Sequence, residues 1–106
     1  MKTLPLSYSK KRFDYKLIQR SNKAAIYSQS FEGKLLAYEV FQVKVAKAYS
    51  FGGIQFEGGE YTPSDESFGM WAWSFGIFST PERALERAQE KYTQLNLQEN
   101  DTTSQD

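Results

Sequence analysis

The sequence predicts an α+β fold: an antiparallel sheet of about four strands with one C-terminal helix packed on one face. Three observations carry this. Residues 13–47 hold stretches in which apolar and polar side chains alternate with period two. Residues 70–78, Met-Trp-Ala-Trp-Ser-Phe-Gly-Ile-Phe, set Trp71, Trp73, Phe75 and Ile77 at every second place, with the small Ala72, Ser74 and Gly76 between them. Directly afterwards Ser79-Thr80-Pro81-Glu82 is a helix start, so a buried strand hands the chain to a helix that folds back over it.

In chain order, residues 1–12 mix Pro5, Ser7 and Ser9 with Lys10-Lys11-Arg12 and show no periodicity, so they are expected as a basic arm outside the domain. Phe13, Tyr15 and Leu17 alternate with Asp14 and Lys16 in a first strand ending at Arg20. Ser21-Asn22 turns the chain, because Asn tolerates a positive φ, and a second strand runs from Ala24 to Ser30. Gly33 serves the next tight connection. Residues Leu35 to Lys47 form the longest strand pattern, with Ala37, Phe41, Val43 and Val45 on one face and Leu36, Tyr38 and Val40 on the other, which marks a central strand covered on both sides. Between Ala48 and Gly69, the pairs Gly52-Gly53 and Gly58-Gly59 and Pro63 break the chain too often for one regular element. This stretch also carries Tyr49, Phe51, Ile54, Phe56, Tyr61 and Phe68, so it is expected to pack on the sheet as a hairpin or flap. Within it, Ser64 or Asp65 can cap one helical turn that Gly69 closes. In the helix, Ala84, Leu85, Ala88, Tyr92 and Leu95 make one apolar stripe. The globular domain is expected over residues 13–97, and residues 98–106, which have no hydrophobe, as a disordered acidic tail.

Composition bounds the chemistry. A chain of 106 residues makes one domain, and 16% aromatic content means that rings carry the core or a binding face. With no Cys and no His, disulfides, thiolate sites, the usual zinc ligand sets and His-based nucleophile activation are all excluded. No cofactor, metal site or catalytic residue is expected. Asp65 and Glu66 sit together but satisfy a helix-start role, and Glu39 is expected to face solvent or pair with a lysine. The Gly pairs lack the context of a phosphate cradle. No leader or membrane span is read, so a cytoplasmic location is the expectation.

Formal charge is zero overall, yet residues 1–23 hold seven basic residues against one acidic. Two binding readings follow. In the first, a protein partner meets a surface of Tyr27, Tyr38 and Tyr61 with Asp65 and Glu66, while Trp71, Trp73 and Phe75 lie in the core under the helix. In the second, single-stranded nucleic acid stacks on exposed rings beside Lys10, Lys11, Arg12, Lys16 and Arg20. A small-ligand binder is a third class, and a homo-oligomer is left open. The first is favoured, because neutral charge and dispersed rings suit protein contact better than phosphate contact.

The strand Tyr38-Glu39-Val40-Phe41, the turn Tyr61-Thr62-Pro63-Ser64-Asp65-Glu66-Ser67-Phe68-Gly69, the strand Trp71-Ala72-Trp73-Ser74-Phe75 and a short closing helix together resemble small uncharacterised proteins encoded by bacteriophages and mobile elements. The likeness covers residues 13–95. It implies an accessory role in an infected cell, such as binding and inhibiting a host or defence protein, and it assigns no catalytic residue.

Overall fold

The computed structural model describes residues 2–78 and 80–98. Its main sheet is antiparallel and five-stranded, in the order β1 (Ser7–Lys10), β2 (Phe13–Arg20), β3 (Ala24–Phe31), β4 (Lys34–Gln42), β9 (Ala72–Gly76). One helix, α1 (Pro81–Leu97), packs on β3, β4 and β9. Two short ribbons complete the chain: β5 (Lys44–Ala46) pairs with β8 (Gly59–Tyr61), and β6 (Tyr49–Phe51) with β7 (Ile54–Phe56). The α+β class and the C-terminal helix are as expected, with β4 inside the sheet. Of the disordered tail expected over residues 98–106, Gln98 is described and caps the helix, its N–H donating to Leu95 O, and residues 99–106 lie outside the described ones.

The fifth strand comes from the segment expected as an arm. Tyr8 draws it in, stacking on Tyr15 at 4.6 Å and meeting Tyr27 edge-on at 5.3 Å. The two-residue turn Lys11-Arg12, with φ of 53° and 74°, connects β1 to β2. The long strand read from Leu35 to Lys47 breaks at Val43, whose N–H donates to Lys23 O at 2.9 Å; beyond it the chain leaves the main sheet to pair with β8.

Alternation on the sheet sorts two cores. On the helix side Ala24, Ile26 and Val40 meet Ala88, Tyr92 and Leu95, with Tyr38, Trp73 and Phe75 packed around them. Alanines at 84 and 88 let the helix approach closely, and Thr80 caps it by accepting from Arg83 N–H at 3.1 Å, with Pro81 at its start. On the other side Tyr15, Ala25, Tyr27, Phe41, Ala72 and Leu4 form the second core. A bulge between Leu17 and Gln19 turns Ile18 partly to solvent and shifts the phase of β2. Gln19 then accepts from Gln89 on the helix side at 2.8 Å, and Arg20 reaches the opposite face.

Trp71 departs from the expected alternation. It packs with the second core, edge-on to Phe41 at 6.2 Å and to Tyr61 at 5.8 Å, instead of lying under the helix with Trp73 and Phe75. The cause is local. Gly69, at φ 91°, donates its N–H to Ala72 O at 2.8 Å, so Met70 and Trp71 belong to a tight turn and the pleat starts only at Ala72.

The second core is roofed by the N-terminal segment and by residues 57–69. Lys2 N–H donates to Gly58 O at 3.0 Å, and Glu60 N–H to Lys2 O at 2.9 Å. The Tyr27 hydroxyl donates to Pro5 O at 2.5 Å, and Lys10 Nζ to Pro63 O at 3.1 Å. Gly59, at φ 144°, lies against the Lys2 backbone, so a Cβ there falls on main-chain atoms that have no rotamer to yield. Gly59→Ala is therefore expected to cost about 1–3 kcal/mol, the range for overpacking. Urea unfolding followed by tryptophan fluorescence checks this, with Gly53→Ala, which meets open space, as the comparison.

Candidate functional site

The stretch expected to lie on the sheet splits in two. Its second half forms β8 and a capped 3-10 turn, Asp65–Ser67, in which Ser67 Oγ accepts from Ser64 N–H at 3.2 Å. Its first half, β6 and β7, joins neither the main sheet nor the β5–β8 ribbon. Gly52 and Gly53, at φ 59° and 80°, make the two-residue turn, which needs positive φ at both places. The register Ser50↔Gln55 and Phe51↔Ile54 puts Tyr49, Phe51 and Ile54 on one face, with Ser50 and Gln55 on the other. The apolar face is exposed: Phe51 shows 77% of its surface, and Tyr49 and Ile54 each more than half. A contiguous exposed patch of this kind marks a contact surface.

The residues proposed from sequence for a protein partner do not come together. Tyr27 is fully buried, stacked on Phe41 at 5.6 Å, so it cannot serve as a partly exposed contact. Its place in β3 pairs it with Glu39 in mid-sheet, where the roof covers it. Tyr38 is half-buried on the helix side, and Tyr61 is exposed on the far face beside Trp71. Asp65 forms an ion pair with Lys11, which holds its carboxyl below the usual range, and lies 3.7 Å from Lys10; Glu66 is exposed.

Much of the basic head is engaged within the protein. Besides Lys10 and Lys11, Arg20 grips Glu60 through two bonds of 2.6 and 2.8 Å. Arg20 first, and then the Leu4 N–H at 2.9 Å, hold the Glu60 carboxyl down at about 2 against the effect of burial. Lys16 and Arg12 are exposed. Three of the five cations expected to meet phosphate are thus turned to acceptors of the chain itself.

Glu39 stands where solvent or a lysine was expected. It is only 6% exposed, on the roofed face of β4 between Ala37 and Phe41, and no hydrogen bond or ion pair reaches its carboxyl among the described residues. Its position explains this: the strand phase that buries Ala37 and Phe41 buries residue 39 with them. Burial lifts its carboxyl to about 7, Lys10 opposes the rise and Asp65 adds to it. Burial also pushes the Tyr8 and Tyr15 phenols up, and the Glu39 charge adds to both.

Among the described residues no three acidic side chains are grouped to hold a metal, and no helix is long and apolar enough to cross a membrane. No family model matches the chain, and no curated protein or solved structure is significantly similar to it. The β6–β7 hairpin was the feature that sequence reasoning treated as packed. A signal was present, since Tyr-Ser-Phe and Ile-Gln-Phe flank Gly-Gly, an alternating hairpin with one apolar face.

Proposed function

We propose that this chain is a non-enzymatic protein-binding module and that the β6–β7 hairpin is its contact element. The observation that carries the reading is the apolar face of Tyr49, Phe51 and Ile54, held in solvent by a turn built for it. Such a hairpin gains by laying its rings into a partner's groove, because exposed aromatics bring large area at small entropic cost. The likeness to phage and mobile-element proteins supports a host or defence protein as that partner, met in the host cytoplasm.

The test is capture from bacterial lysate by the wild-type chain and by Phe51→Ser with Ile54→Ser, followed by mass spectrometry. The double variant is expected to melt as the wild type does, since exposed substitutions cost within about 0.5 kcal/mol, and to lose the captured protein. Capture that survives both substitutions sinks the hairpin as contact element. Single-stranded DNA at about 0.15 M salt is expected to show no saturable binding by anisotropy, since counterion release needs free cations.

A further inference from the structure

The two edges of the main sheet are treated differently. At one edge, β1 is short and ends in Lys10, with Lys11 and Arg12 at its turn and Pro5 just before it, the devices that stop strands from adding. At the other, β9 is Ala-Trp-Ser-Phe-Gly, without charge or proline. Gln42 N–H donates to Trp71 O at 2.9 Å and Ile77 N–H to Leu36 O at 3.1 Å, so residues 71, 73, 75 and 77 turn their backbone groups to β4. Ser74 and Gly76 then point theirs outward, where no hydrogen-bond partner is found among the described residues, although the Phe78 ring lies against Gly76. At the start of the edge, a bridge from Phe68 to Ala72 closes it. Met70 and Phe78, exposed by 76% and 99%, flank the open part.

A hollow of about 460 Å³ runs beside this edge between β9 and α1, lined by Phe75, Arg87, Glu90, Lys91 and Gln94. Lys91 Nζ lies 3.9 Å from the Trp73 ring centre and the Arg87 guanidinium 5.7 Å from that of Phe75. Two cations against one acid leave the hollow positive.

We propose that the β9 edge takes an extended, acidic segment of a protein partner by strand addition, pairing with Ser74 and Gly76 and turning its acidic side chains toward Arg87 and Lys91. The inference rests on the reading of the chain as a protein-binding module and adds a second contact with a stated ligand chemistry. A second copy of the chain is the obvious rival, since antiparallel β9–β9 pairing is self-complementary. Charge decides against it: a two-fold axis at Ser74 brings both Arg87 and both Lys91 to one seam, with only the two Glu90 to offset them.

The experiment is selection of a random twelve-residue peptide library, displayed on mRNA, against the intact chain and against Ser74→Pro. Proline removes only an N–H that the ladder to β4 does not use, so the fold is kept, as an unchanged melting curve verifies. Peptides enriched on the wild type are expected to alternate β-branched or aromatic residues with Asp or Glu and to be lost on Ser74→Pro. They are expected to bind Arg87→Glu with Lys91→Glu about tenfold or more weakly. In amide hydrogen exchange the best peptide should protect Ser74 and Gly76, with Trp73 and Phe75 protected already in the free chain. No enrichment, equal binding to Ser74→Pro, or enrichment of basic or uncharged sequences overturns the proposal. Concentration-dependent dimers that protect the same two amides overturn the choice of occupant. Selection on Phe51→Ser with Ile54→Ser should give the same peptides, so failure here is distinct from failure of the hairpin.

Discussion

Glu39→Gln is expected to raise the melting temperature at about pH 8 by at least about 12 °C and to remove most of the fall in stability between about pH 5 and pH 8. A carboxyl lifted from 4.5 in the unfolded chain to about 7 in the fold binds more protons native than unfolded within that window. Stability is therefore fully present below 4.5, declines as pH rises, and is down by about 3 kcal/mol once the folded group has ionised. Glutamine resembles the protonated acid in shape and has no proton to lose. Glu60 and Asp65 run the other way, since depressed carboxyls give up stability as pH falls through their folded values. Wild type should therefore be most stable near about pH 5, and the variant should keep the acid limb. Melting curves from about pH 3 to pH 9 decide the matter; an alkaline limb unchanged in Glu39→Gln shows that another group owns it.

Phe41→Ala is expected to cost about 3–5 kcal/mol, the range for deleting a buried aromatic. The ring is fully buried between Tyr27, stacked at 5.6 Å, and Trp71, edge-on at 6.2 Å, so its removal leaves a cavity and strips a face from each neighbour. Trp73→Ala should cost less, because that ring is only partly buried and already shares its outer side with Lys91. Urea denaturation of the two variants compares them directly, and equal losses would mean that the roofed core carries no more stability than the helix face.

Period-two alternation located β2, β3 and β4, and Thr80-Pro81 located the helix start, because those signals depend on residues near one another in the chain. The misread places turn on contacts at long range. Tyr8 finds a strand only because Tyr15 and Tyr27 offer rings. Trp71 changes face because Gly69 tightens a turn, and Val43 ends β4 because β8 claims residues 44–46. Tyr27 and Glu39 were placed near the surface on residue type, whereas the roof that buries them is assembled from residues 2–6 and 57–69, far away in sequence. The exposure of the hairpin and of the β9 edge is not legible for the opposite reason: what marks it is the absence of a neighbour, which alternation alone does not report.

The bridge between Lys2 and Gly59 also bears on how the chain reaches its native state. The β1–β4 meander joins neighbours in sequence and needs only short loop closures, which are fast. The roof needs two segments more than fifty residues apart to meet, so its closure entropy is met only after the meander offers a surface to dock on. Refolding should accordingly form the meander first and the Lys2–Gly59 docking late. Gly59→Ala should then speed unfolding while leaving the refolding rate nearly unchanged.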